Sequence, residues 1–212
     1  MSNTEVVVPL KAFTAAKQRL SVEPKQRVEL MKRMASSVLT STTELDTWVV
    51  CDDGEVRDWA LAAGFSVLVQ PAAGLSEAVQ LSVDRRFIAG VDRVIVAHGD
   101  LPLLNSLEHL ATLDGVAAVP GLEGLGTKVL SVPAGHGFRF NYGPTSAADH
   151  RAEARRCGLT FRTVQDSAIG LDINTLDDLR RLEREHPGTF SRLTGGLGIF
   201  DDQREPMQGR SS

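Results

Sequence analysis

DRVIVAHGDLP, Asp92 to Pro102, is the stretch whose reading decides the fold. Val94, Ile95, Val96 and Ala97 are apolar without alternation, as in a parallel strand covered on both faces. A strand with one wet face would alternate apolar and polar side chains. Directly after the run come Gly99, which allows close backbone approach, and Asp100. In doubly wound sheets ligands sit beyond the carboxyl ends of the strands. Asp100 is therefore placed where a ligand would be. A single carboxylate there suits Mg²⁺, which takes one or two carboxylates together with substrate phosphates. The plainer alternative is a turn aspartate near Asn105 with a capping role.

Outward from this strand the chain alternates apolar runs with amphipathic stretches. EVVVPL (5–10), DTWVVCDD (46–53), FSVLVQP (65–71), GVAAVPG (115–121), TKVLSVP (127–133) and LTFRTVQ (159–165) read as further strands. Between them, helices are predicted from Pro24 through Val38, over EVRDWALAAG, over GLSEAVQLSVDRRFIAG, over SLEHLATL and over SAADHRAEARRCG. TLDDLRRLERE reads as the final helix. This alternation predicts an α/β fold with a doubly wound, mostly parallel sheet in one domain, residues 1–197. The segment 198–212 reads as a polar, flexible tail.

Other ligand-facing residues follow from position. The first strand runs into LKAFTAAKQRL (10–20), which has no glycine but carries Lys11, Lys17 and Arg19. Lysine offers phosphate a point charge, and arginine can grip two oxygens. A solvated basic surface is the plainer alternative. Gly121, Gly124 and Gly126 precede Thr127, so a glycine-threonine hairpin could cradle an anion or simply be flexible. Gly143-Pro144 marks a turn, and Thr145 or Ser146 would cap the helix after it. The amides of that helix start can receive an anion. His150, mid-helix, reads as structural or surface-facing. In GLDINTLDDL (170–179), Asn174 or Thr175 caps a helix whose first turn holds Asp177 and Asp178. Asp172 has no capping job and becomes a second metal-ligand candidate if the fold brings it near Asp100.

Composition narrows the chemistry. The net charge of −4 disfavours non-specific binding to nucleic acid or to anionic membrane. No apolar run approaches a membrane span. Cys51 and Cys157 are far apart and form no metal-spaced pair, which suits a cytoplasmic location. No nucleophile elbow is recognisable. Phosphate-handling metal chemistry fits best.

The order of LKAFTAAKQRLS, GDLPLL, GLGTKVLS, YGPTSAADH and LDINTLDDL resembles the guanylyltransferases of deazaflavin coenzyme (factor 420) biosynthesis. These are part of the wider nucleotidyltransferases that share the fold of the molybdenum-cofactor guanylyltransferase. The resemblance implies GMP transfer from GTP to a small phosphorylated carboxylic acid, releasing pyrophosphate. That acid would be phosphoenolpyruvate, 2-phospho-L-lactate or 3-phospho-D-glycerate. It implies that Asp100 and Asp172 hold Mg²⁺ or Mn²⁺, with Lys17 joining them in catalysis. Leu10, Lys11, Lys17, Arg19, Gly74, Leu75 and Gly99 would bind the nucleotide. Thr127, Gly143 and Ser146 would bind the acid. The chain departs from the family pattern at Ser76, Gly121, Leu122, Leu125 and Asn174. Two alternatives stand beside this one: transfer to a sugar phosphate or molybdenum cofactor, and a nucleotide-binding paralogue without catalysis. The reading leaves room for a homodimer.

Overall fold

Valines and their neighbours alternate between two apolar clusters, one on each side of a sheet. Val6, Val8, Ile95 and Ala97 enter one cluster, while Val7, Val94 and Val96 enter the other. That period of two places helices on both faces. The computed structural model describes residues 3–71 and 73–200. Its strands are β1 Thr4–Pro9, β2 Asp46–Cys51, β3 Ser66–Val69, β4 Arg93–Ala97, β5 Val116–Pro120, β6 Thr127–Pro133 and β7 Phe161–Thr163. They form one sheet in the order β3-β2-β1-β4-β6-β5-β7.

The doubly wound expectation is met by β1, β2, β3 and β4, which are parallel. β6 is the exception and runs antiparallel to both β4 and β5. Only six residues, 121–126, join β5 to β6, too few for the crossover that a parallel pair needs. β7 then returns parallel to β5 at the edge.

The helices are α1 Pro24–Thr40, α2 Gly54–Ala62, α3 Leu75–Ile88, α4 Glu108–Ala111, α5 Ser146–Arg156, α6 Leu176–Glu185 and α7 Pro187–Thr194. α1 starts as its sequence predicts, with Pro24 in the first turn and a reciprocal capping box between Glu23 and Gln26. Leu30, Met34 and Val38 of α1 and Leu179 and Leu182 of α6 fill the first cluster. Val79 and Val83 of α3 and Ala154 of α5 fill the second.

α6 is not the final helix. His186 closes it, Pro187 opens α7, and Leu193 carries the new helix into the first cluster. After α7 the chain stays attached. Leu197, Ile199 and Phe200 pack on that cluster, and Gln26 Nε2 donates to Leu197 O at 2.7 Å. The tail expected from residue 198 thus begins as packed chain, and 201–212 lie outside the described residues. Among the described residues no helix is long and apolar enough to cross a membrane.

Candidate active site

β1 and β4 are parallel neighbours from which the sheet extends in opposite directions. A crevice opens beyond their carboxyl ends, at the switch point where such folds take ligands. The segment after β1 is tied down at both ends. Leu10 N–H donates to Val50 O at 2.8 Å, and the short 3-10 turn Phe13–Ala15 buries Phe13 edge-on against Trp59. Gly99, just past β4, is needed for this closeness. A Cβ there would come within 2.2 Å of Leu10 Cδ2 and force that side chain from the crevice wall.

Two carboxylates, two ammoniums and one amide are linked in a chain inside the crevice. Lys17 Nζ donates to Asp100 Oδ2 and, at 2.8 Å, to Asn174 Oδ1. Asn174 Nδ2 donates to Asp172 Oδ2 at 2.7 Å, and Lys128 Nζ pairs with the same oxygen at 2.7 Å. The four charged side chains are between 9% and 19% exposed. Their pairing is therefore less screened than that of an exposed ion pair. The fold thus brings Asp100 and Asp172 into one network, from segments far apart in the chain.

Burial alone would push the Asp100 carboxyl upward. Lys17 outweighs it, helped by His98 and Lys128, and holds the group below the usual carboxylate range. Burial likewise pushes the neighbouring His98 down, opposed by Asp100 and Asp172.

One oxygen of this network has no protein partner: Asp100 Oδ1 is buried and unpaired. A buried carboxylate oxygen without a donor is costly unless a cation meets it. Among the described residues no group of three or more His, Cys, Asp and Glu side chains could hold a metal. A divalent cation on Asp100 and Asp172 would therefore complete its shell from phosphate oxygens or water, as Mg²⁺ commonly does. The residues present fit such an ion.

Two cavities meet at this network. The first, about 390 Å³, is lined by all seven residues expected to bind nucleotide: Leu10, Lys11, Lys17, Arg19, Gly74, Leu75 and Gly99. Asp100 and Asn174 line it too. The second, about 540 Å³, is lined by Thr127, Gly143 and Ser146, the three residues expected to bind the acid. Arg19, Leu75 and His98 line both, so the cavities share a wall. Lys11 and Arg19 are exposed.

Local capping separates structural acids from site acids. Asp53 caps α2 by accepting from Val56 N at 3.0 Å. Thr175 caps α6 in a reciprocal box with Asp178, and Asp178 Oδ2 also accepts from Asn174 N at 2.9 Å. Thr145 occupies the N-cap of α5 but makes no side-chain cap bond, and its hydroxyl donates to Asp149 Oδ2 at 2.9 Å. His150 is not surface-facing: it is fully buried.

Four site residues escaped the sequence reading. Lys128 follows the glycine-threonine hairpin, and a cation beside an anion-cradling turn was a usable signal. His98 sits between a buried strand and Asp100, which was another. Tyr142 and Gln70 had none. Tyr142 Oη and Gln70 Oε1 are buried without partners, as is His98 Nε2.

Comparison with known proteins identifies the family. Residues 4–192 match the family described as guanylyl transferase CofC like. The phosphoenolpyruvate guanylyltransferase of Sphaerobacter thermophilus is 30% identical over 195 residues, 87% of this chain and 94% of that protein. The 2-phospho-L-lactate guanylyltransferase of Methanothermobacter thermautotrophicus is 31% identical over 201 residues, 89% of this chain and 88% of that protein. The 3-phospho-D-glycerate guanylyltransferase of Phenylobacterium zucineum is 29% identical over 196 residues, 85% of this chain and 89% of that protein. Among solved structures, a cytidylyltransferase from Leptospira borgpetersenii superposes with a TM-score of 0.56 at 12% identity, over 100% of this chain and 99% of that one. That likeness speaks for the nucleotidyltransferase fold alone. The chain belongs to the guanylyl transferase CofC-like family.

Proposed function

We propose that this family member transfers GMP from GTP to the phosphate of a small phosphorylated carboxylic acid and releases pyrophosphate. The observation that carries the reading is the Lys128–Asp172–Asn174–Lys17–Asp100 network at the junction of two cavities. The first cavity would take the nucleotide and the second the acid. The names of the relatives support the same donor and acceptor class.

In the reaction, an oxygen of the acid's phosphate attacks the α-phosphorus of GTP. The new P–O bond forms as the bond to the pyrophosphate oxygen breaks. When bound on Asp100 and Asp172, Mg²⁺, or Mn²⁺ in its place, would screen the repulsion between the two phosphates. Lys11, Lys17 and Arg19 neutralise charge on the departing pyrophosphate. Thr127, Gly143 and Ser146 hold the acid in line for attack. Lys128 adds positive charge between the reacting phosphates. A strong general base is unnecessary, because a phosphate monoester loses its second proton at about pH 6. A cytoplasmic location suits the two free cysteines, Cys51 and Cys157.

The test is pyrophosphate release from GTP, ATP, CTP and UTP with phosphoenolpyruvate, 2-phospho-L-lactate and 3-phospho-D-glycerate in Mg²⁺. GTP with at least one acid should give sustained release. No release in any combination would reject transferase activity in favour of a nucleotide-binding role.

A further inference from the structure

His150 is fully buried on α5, with both ring nitrogens engaged. Nε2 accepts from the backbone N–H of Asn141 at 3.2 Å. A backbone N–H can only donate, so Nε2 must carry the lone pair. In a neutral imidazole the proton then sits on Nδ1. Nδ1 lies 3.0 Å from Thr127 Oγ1, so the hydroxyl oxygen accepts there. The Thr127 O–H proton is left to point elsewhere, and Thr127 lines the second cavity.

We propose that His150 is a positioning residue for the acceptor, committing the Thr127 hydroxyl to donate a hydrogen bond to an anionic oxygen of the phosphorylated acid. The inference rests on the acceptor reading of the second cavity given above. The same ring also fixes Asn141, two residues before Gly143, so one side chain sets two walls of that cavity. Tyr142 meets the ring edge-on with centroids 5.0 Å apart, and Phe138 lies at 6.0 Å. These rings leave the imidazole little freedom to rotate. Burial pushes the ring's pKa down to about 4, against the opposing pull of Asp149 and Glu153 and with a small push from His98. The neutral tautomer therefore holds at neutral pH. A protonated ring would aim an Nε2–H at the Asn141 N–H and break the arrangement.

The test compares His150→Phe, His150→Gln, Thr127→Val and the Thr127→Val/His150→Phe double variant. Steady-state constants are measured for GTP and for the acid separately. His150→Phe should raise KM for the acid about tenfold, the scale of one lost hydrogen bond to a charged group. KM for GTP should stay within about twofold. His150→Gln, whose amide offers both a donor and an acceptor, should recover most of the loss. In the Thr127→Val background, His150→Phe should add almost nothing. Equal loss for GTP and acid, or effects that multiply in the double variant, would overturn the proposal. If His150→Phe does not fold, long-range ¹⁵N–¹H spectra of wild type decide, since a proton on Nε2 rules the mechanism out and one on Nδ1 supports it. If wild type transfers nucleotide to none of the acids, the acceptor reading itself has failed. Calorimetric titration of inorganic phosphate then tests His150 alone: binding weakened in His150→Phe and kept in His150→Gln supports the role, and unchanged binding refutes it.

Discussion

Lys17 holds a backbone shape that glycine would adopt more easily, and the company of its ammonium explains why. Its φ of 51° is the one positive value at a non-glycine among the described residues. Such a conformation costs on the order of 1 kcal/mol or more. The bonds to Asp100 and Asn174 offset it. Asp100 is the more exacting member of the pair, since its second oxygen is buried without a protein donor. Asp100→Asn should lower turnover at least about 100-fold in saturating Mg²⁺, because the amide cannot balance a cation's charge. Near-wild-type turnover of the purified variant would remove Asp100 from the metal site. A second expectation concerns pH. His150 titrates near pH 4 in the fold but near pH 6.5 when unfolded, so the unfolded chain binds the extra proton between those values. Its contribution is intact above about pH 6.5 and falls away toward pH 4, by as much as about 3 kcal/mol. Urea midpoints at pH 7 and pH 5 should differ in wild type and differ less in His150→Gln. At this scale the sequence singled out Asp100 by its place after a buried strand and Asp172 by its place before a helix cap. Their linkage through Lys17 and Asn174 was hidden, since Lys17 lies 83 residues from Asp100 and 157 from Asn174, a separation that local spacing does not encode.

α6 shows how an element can tune a site that it does not line. Its capping residue Asp178 accepts from the amides of Asn174 and Thr175 and from the Thr175 hydroxyl. Those bonds fix the peptide that carries Asn174, the link between Lys17 and Asp172. Asp178→Ala should cost about 1–2 kcal/mol of stability, the worth of a lost cap. It should also reduce turnover several-fold with little change in either KM. Unchanged turnover in a measurably destabilised variant would mean that the cap and the network are independent. Helix starts were readable from Pro24 and from the Asn174–Thr175 pair, whose chemistry is local. α7 was not, because PGTFSRLT is short and gains its stability by setting Leu193 into the core.

The molecule as a whole is organised around one crevice with charges that cancel. Two carboxylates face two ammoniums, so the network itself favours neither a cation nor an anion alone. Nucleotide and divalent cation should therefore bind as a set. At 100 times its Kd, such a set adds about 2.7 kcal/mol of stability. For a chain of this size that raises Tm by about 5–10 °C. Thermal scans with GTP alone, Mg²⁺ alone and both together should show the full shift only in the last. An equal shift with GTP alone would show that the lysines bind nucleotide without a cation. β4 was legible because a strand buried on both faces is uniformly apolar, yet β5 is buried as fully and pairs antiparallel with β6, so apolarity did not give strand direction. Near the acceptor the logic is different. β6 opposes its neighbours, so it delivers Thr127 and Lys128 to the crevice from its amino end, directly out of a six-residue hairpin. Every other contribution to the crevice from the sheet arrives at a carboxyl end and is continuous with a crossover helix. The hairpin has no such tether, so its length and composition can drift while the nucleotide half stays put. If the second cavity takes the acid as proposed above, grafting 121–126 between relatives should remodel the wall formed by Glu123, Leu125 and Gly126 and leave the nucleotide half as it is.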